Sequence, residues 1–184
     1  MRLKPTTSVA LFLMFLLVAQ TTLLAVTNDV NTTMLTSETN GEDSFSVSAQ
    51  NGSSWSTPVS LDSTDRVGED SSLAIDSNDH LHVTYHDYLN GNLEYMIYDG
   101  SSWSTPVSLD STGIVGEESS LAIDSNDQLH VTYLDNTNFN LEYMTYDGSS
   151  WSTPVSLDST DNVGKESSLA IDSNDNLHVT YLDY

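Results

Sequence analysis

Three kinds of residue recur in this chain at a spacing of 48, and each has a chemistry open to it. The first is tryptophan, at Trp55, Trp103 and Trp151. An indole face can stack on the apolar face of a pyranose ring, making these three candidate ligand-binding residues. The competing reading is that each anchors the start of a strand against its neighbour. The second is histidine, at His82, His130 and His178. Three imidazoles gathered on an axis can bind a metal. In a sheet covered on both faces, a half-buried and hydrogen-bonded histidine is the ordinary outcome. His80 and His86 do not recur and are expected at turn or strand ends. The third is an Asp-Ser-Asn-Asp run, whose candidate metal residues are Asp76 and Asn78, Asp124 and Asn126, and Asp172 and Asn174. Such a run offers oxygen ligands to calcium, the one cofactor the sequence suggests. A calcium loop of the EF type needs glycine at its sixth position, where Leu81 stands, so a capped β-turn is the rival reading. Glu69, Asp70, Glu117 and Glu118 form acidic pairs of the kind that hydrolyse glycosides. Adjacent acids on a loop also make an ordinary solvated surface.

The elements that would carry these residues repeat with them. Residues 72–85 return almost unchanged as 120–133 and 168–181. In each copy Leu73 and Ile75, then Leu81, Val83 and Tyr85, alternate with small or polar residues, which is strand patterning. Ser77-Asn78-Asp79 between them is turn chemistry. The full unit predicts four strands: a over 72–76, b over 81–87, c over 93–98 and d over 103–109. Asp99-Gly100 supplies the c–d turn. Pro106 inside d makes d an edge strand, since proline cannot donate to a ladder on both sides. The chain opens on c–d at Phe45 to Leu61, runs through two full units and stops after a third a–b pair. The expected fold is therefore all-β: a β-propeller of 48-residue four-stranded blades, three per chain. These blades are half of a six-bladed ring or a fragment of a larger propeller.

The runs Ser-Leu-Ala-Ile-Asp-Ser-Asn-Asp, Leu-His-Val-Thr-Tyr and Tyr-Asp-Gly-Ser-Ser-Trp resemble blades of exported sialidase-like (Asp-box) and fucose-lectin-like propellers, and the likeness spans Phe45 to Tyr184. The resemblance implies a propeller closed by strands from both ends of the chain, and a sugar ligand. The segment Thr145-Tyr146-Asp147-Gly148-Ser149-Ser150-Trp151 is one residue short of an Asp-box. A sialidase holds its substrate carboxylate with an arginine cluster, and beyond residue 26 this chain has the single arginine Arg66.

Composition bounds the rest. The 184 residues carry a formal charge of −23 and no cysteine, so no disulfide framework is available. Arg2 and Lys4 precede an apolar run from Val9 to Ala19, which reads as a signal peptide or N-terminal anchor over residues 1–26. Residues 27–43 are polar and read as a disordered linker, leaving 44–184 for the repeats. The localisation expected is secreted or cell surface. With that leader set aside, Arg66 and Lys165 are the remaining cations, too few to hold a nucleic-acid backbone. The expectation is a non-catalytic binding module that takes glycan or cell-surface ligands. Its rivals are a degenerate or truncated sialidase-like glycosidase and a purely structural repeat. Against an enzyme stand the missing arginine cluster, the missing phosphate loop and the near-identity of the repeats. An open arc of three blades leaves both edges unpaired, so a homodimer closing a shared blade is expected. Positions that vary between repeats, such as Arg66/Ile114/Asn162, His80/Gln128/Asn176 and the b–c loop near Leu89 to Gly91, are expected at the surface.

Overall fold

The computed structural model describes residues 44–64 and 66–183. The leader (1–26) and the polar linker (27–43) lie outside the described residues. Among the described residues the chain is all-β and every sheet is antiparallel. It begins with β1 (Phe45–Val47), β2 (Gln50–Asn51), β3 (Ser54–Trp55) and β4 (Val59–Asp62). Here β1 pairs with β4, and β2 with β3. A four-stranded sheet follows, of β5 (Val67–Ile75), β6 (Leu81–Asp87), β7 (Asn92–Tyr98) and β8 (Val107–Asp110), ordered as they occur in the chain. The next sheet repeats it with β9 (Val115–Ile123), β10 (Leu129–Asp135), β11 (Asn140–Tyr146) and β12 (Val155–Asp158). The chain ends in the two-stranded sheet of β13 (Val163–Ile171) and β14 (Leu177–Asp183).

Strand b lies where the patterning places it, and c differs by one residue. Two expectations need correction. Strand a is longer than 72–76 and starts at Val67, so Glu69, Asp70, Glu117 and Glu118 lie within β5 and β9 and not in loops. Its first half carries two bulges, between Val67 and Glu69 and between Glu69 and Ser72, which break the period-2 signal. Strand d is shorter, and Pro106 lies just before β8 and not inside it. Trp103 and Trp151 sit in isolated bridges to Tyr98 and Tyr146. β8 and β12 are nevertheless the edges of their sheets.

The sheets pack face to face, and the packing explains the repeated glycine. Gly68, Gly116 and Gly164 have φ of 86°, 94° and 97°. A Cβ there would stand 2.6 Å from Phe45, 2.6 Å from Leu93 and 3.0 Å from Leu141 respectively. Both the bulge and the approach of the preceding sheet therefore require glycine. Leu93 and Tyr95 of one sheet meet Val115, Leu121, Leu129, Val131 and Tyr133 of the next in the larger core. Val67, Val83, Tyr85 and Met96 meet Phe45, Leu61 and Trp103 in the smaller one. β6 and β10 are covered on both faces, which is why they are buried almost end to end. A tyrosine latches each junction: Tyr85, Tyr133 and Tyr181 donate to Asp62, Asp110 and Asp158 at 2.9, 2.8 and 2.8 Å.

Candidate functional site

The strands place every turn at one of two ends of the sheets. At the first end lie the a–b turns that carry the candidate metal residues. Asp76 Oδ1 accepts from the backbone N–H of Asn78 at 2.9 Å and of His80 at 2.8 Å. Its Oδ2 meets His80 Nδ1 at 2.9 Å and His82 Nε2 at 3.4 Å. Burial alone would raise the Asp76 carboxyl, but these hydrogen bonds outweigh it and hold the group down at about 2. Asp124 and Asp172 cap their turns in the same way, through Asn126 and Gln128 and through Asn174 and Asn176. Asn78, Asn126 and Asn174 are exposed. Among the described residues no group of three or more His, Asp or Glu side chains is arranged to hold a metal ion.

The repeated histidines are not gathered together. His82 and His130 each bond through Nδ1 to a tyrosine hydroxyl within their own sheet, Tyr95 at 2.7 Å and Tyr143 at 2.6 Å. Burial holds His82 below the ordinary histidine value, against the opposing pull of Asp76. His130 Nε2 lies 3.5 Å from Asp124 without hydrogen-bond geometry. His178 is exposed beside Asp172. The His–Tyr bond recurs in successive sheets and pins strand b to strand c. The tryptophans divide. Trp151 is half-buried and packs edge-on against Tyr95 of the preceding sheet, with ring centroids 5.3 Å apart. Trp103 is half-buried against Tyr98 and the smaller core. Trp55 is 68% exposed.

At the second end the d–a loops meet the b–c turns through the backbone. Tyr88 N donates to Arg66 O at 3.1 Å, Asn136 N to Ile114 O at 2.8 Å, and Val163 N to Phe139 O at 3.2 Å. The turns themselves are built on Asp87 and Asp135, whose carboxylates accept from the backbone and side chains of Asn90 and Asn138. This rim carries several of the residues that vary between repeats, Arg66/Ile114/Asn162 and the b–c turn among them. The Arg66 guanidinium lies 3.4 Å over the Tyr88 ring and pairs with Glu69 at 3.6 Å. Tyr88, Leu89, Ile114 and Phe139 are all exposed there. Phe139 has φ of 58° at a place where the preceding repeat has Gly91, with φ of 70°. A bulky side chain in that conformation costs roughly 1–2 kcal/mol, and such strain collects at functional positions.

In the sequence these rim positions stand out only as variable surface. The signal was present in one place: Phe139 stands in register with a glycine, and the repeat makes that comparison from within the chain. The Arg66–Tyr88 stack had no such signal, because 22 residues separate the two in sequence. No family model matches this chain, and no curated protein is significantly similar to it in sequence.

Proposed function

We propose that this chain is an exported β-propeller module that binds glycans without catalysis, and that the ligand surface is the rim made by the d–a loops and b–c turns. The observation that carries the reading is Phe139, an exposed aromatic held at positive φ where glycine serves in the preceding repeat. The b–c turn sets this conformation in both repeats, and Phe139 keeps a large aromatic side chain on the surface where glycine fills the place at less cost. Tyr88 and Arg66 add a second aromatic and the one arginine of the described residues on the same rim. Aromatic faces beside a few polar groups are what a sugar's alternating C–H and O–H surfaces require. The propeller reading is supported by the two matching four-stranded sheets, each with its d strand at the edge, stacked face to face through repeated latches. Export is supported by Arg2 and Lys4 ahead of the apolar run.

A glycan array followed by calorimetry on the hit tests the reading. Phe139→Gly should fold as well as the parent, because glycine already fills the matching place, and should lose most of the binding. Tyr88→Ala should weaken it further. Binding that survives both variants and disappears with Trp103→Ala would move the site to the tryptophans. A chain that binds no glycan would sink the proposal.

A further inference from the structure

Corresponding residues of the repeats have unequal burial, and two surfaces show it most plainly. Leu121 is 7% exposed, while Leu73, one repeat earlier, is 51% exposed. Leu129 is fully buried, while Leu177, one repeat later, is 40% exposed. The first surface is the outer face of β5, and the second belongs to β13–β14. Between β13–β14 and the sheet before it lies an apolar cavity of about 250 Å³, lined by Tyr143, Leu157, Leu169, Leu177 and Val179. One repeat earlier these are Tyr95, Leu121, Leu129 and Val131 of the larger core, with Leu109 packed against it. There the space is closed by Met144 and Trp151, which come from the c–d half of the sheet. The sheet β13–β14 has no c–d half among the described residues, and β1–β4 is a c–d half with no a–b pair. Its tryptophan, Trp55, is the exposed one.

We infer that the occupant is a second copy of this chain: β1 of one copy pairs with β14 of the other, seating Trp55 in the cavity against Tyr143. The inference rests on the propeller reading for its stoichiometry. Two copies give six blades, inside the range of about 4–8 in which propellers close, and a two-fold axis satisfies both edges at once. The internal ladders set the register. Thr84 lies opposite Tyr95 and Thr132 opposite Tyr143, so Thr180 lies opposite Val47 of the second copy.

The polar groups at the two surfaces match as well. Inside the chain Ser77 donates its N–H and hydroxyl to the Asp127 carboxylate at 2.9 and 2.5 Å, and Ser125 does the same to Asp175 at 3.0 and 2.6 Å. Leu121 N donates to Ser72 Oγ and Leu169 N to Ser120 Oγ, both at 2.9 Å. Ser119 Oγ donates to Asp70 O at 2.8 Å and Ser167 Oγ to Glu118 O at 2.9 Å. Continuing each series by one repeat couples Ser173 to Asp79, Leu73 N to Ser168, and Ser71 to Glu166 O, all between copies. Donors fall on one surface where acceptors fall on the other, and in the same order.

Light scattering on a sizing column with the full chain tests this directly. A dimer is expected. Trp55→Ala should raise the dimer dissociation constant about tenfold or more, as loss of a central aromatic anchor does. Asp79→Gly keeps the positive φ, removes the carboxylate and should weaken the dimer in the same direction. The chain has no cysteine, so the double variant Val47→Cys, Thr180→Cys should yield a covalent dimer under oxidation. The pair Val47→Cys, Tyr181→Cys, one residue out of register and on the opposite face, should not. A folded parent chain that stays monomeric overturns the inference, as does an open series of larger oligomers or a covalent dimer from the wrong pair. A monomer that still binds glycan through Phe139 would remove the dimer and leave the proposed function standing.

Discussion

Replacing His86 by leucine should stabilise this protein. His86 is 1% exposed, and neither ring nitrogen has a hydrogen-bond partner. The two following repeats carry Leu134 and Leu182 at that position, and Leu134 is completely buried. A leucine therefore fits between the same kinds of neighbour. Leaving a buried polar group unsatisfied costs about 1–3 kcal/mol. Against that gain stands the edge-on contact of His86 with Tyr88, with centroids 6.0 Å apart, which is worth at most about 0.5–1.5 kcal/mol. The desolvation cost is the larger effect, so His86→Leu should gain about 0.5–1.5 kcal/mol. In urea unfolding, with a slope of about 2 kcal/mol/M, the midpoint should rise by roughly 0.3–0.8 M with the slope unchanged. The reverse change, Leu134→His, should lower it by a comparable amount. A His86→Leu midpoint at or below that of the parent would refute the reasoning and would mean the imidazole has a partner that stabilises it.

Two other outcomes follow from the cores and the capped turns. Trp103→Ala should cost about 2–4 kcal/mol, less than a fully buried indole because Trp103 is half-exposed; a loss below about 1 kcal/mol in urea unfolding would show that it is not an anchor. Stability should also fall on acidification in two stages. His82, held low by burial, contributes stability above its ordinary value of 6.5 that is lost as pH drops through its lowered value. Asp76 contributes stability above 3.8 that is lost between there and about 2. Glu94, pushed up by burial against the hydrogen bonds from Ser108 and Asn92, works the other way and becomes easier to bury as it protonates. Asp76→Asn should flatten the stability curve below pH 4, and a variant curve parallel to the parent there would refute the assignment.

The repeat was legible in the sequence because its period exceeds any single element and its copies have scarcely diverged. Strands b and c, the turn after Ile75 and the order c–d, a–b–c–d, a–b–c–d, a–b all followed from period-2 patterning and turn residues. These are local properties, written in residues that touch along the chain. The sequence shows strand a too short because its bulges at Gly68 and Asp70 each set an extra residue against the neighbouring strand, and no periodicity survives that. Asp70, Glu118 and Glu166 take φ of 50°, 54° and 51° there, a conformation that side-chain type does not announce.

The sequence by itself determined the all-β class, the number of repeats and the residues available at each repeated position. Only the tertiary structure decided which of those residues do what. Near-identical copies give Trp55, Trp103 and Trp151 the same local instructions, yet one is open to solvent and two are packed, because burial is set by the sheet that lies alongside. The same holds for Leu73 beside Leu121 and for Leu177 beside Leu129. Arg66 reaches Tyr88 through a junction between a loop and a turn that the chain makes far apart. A strand's pattern says that it has a face to cover. Which neighbour covers it is a property of the packed sheets, since that contact lies a whole repeat away along the chain.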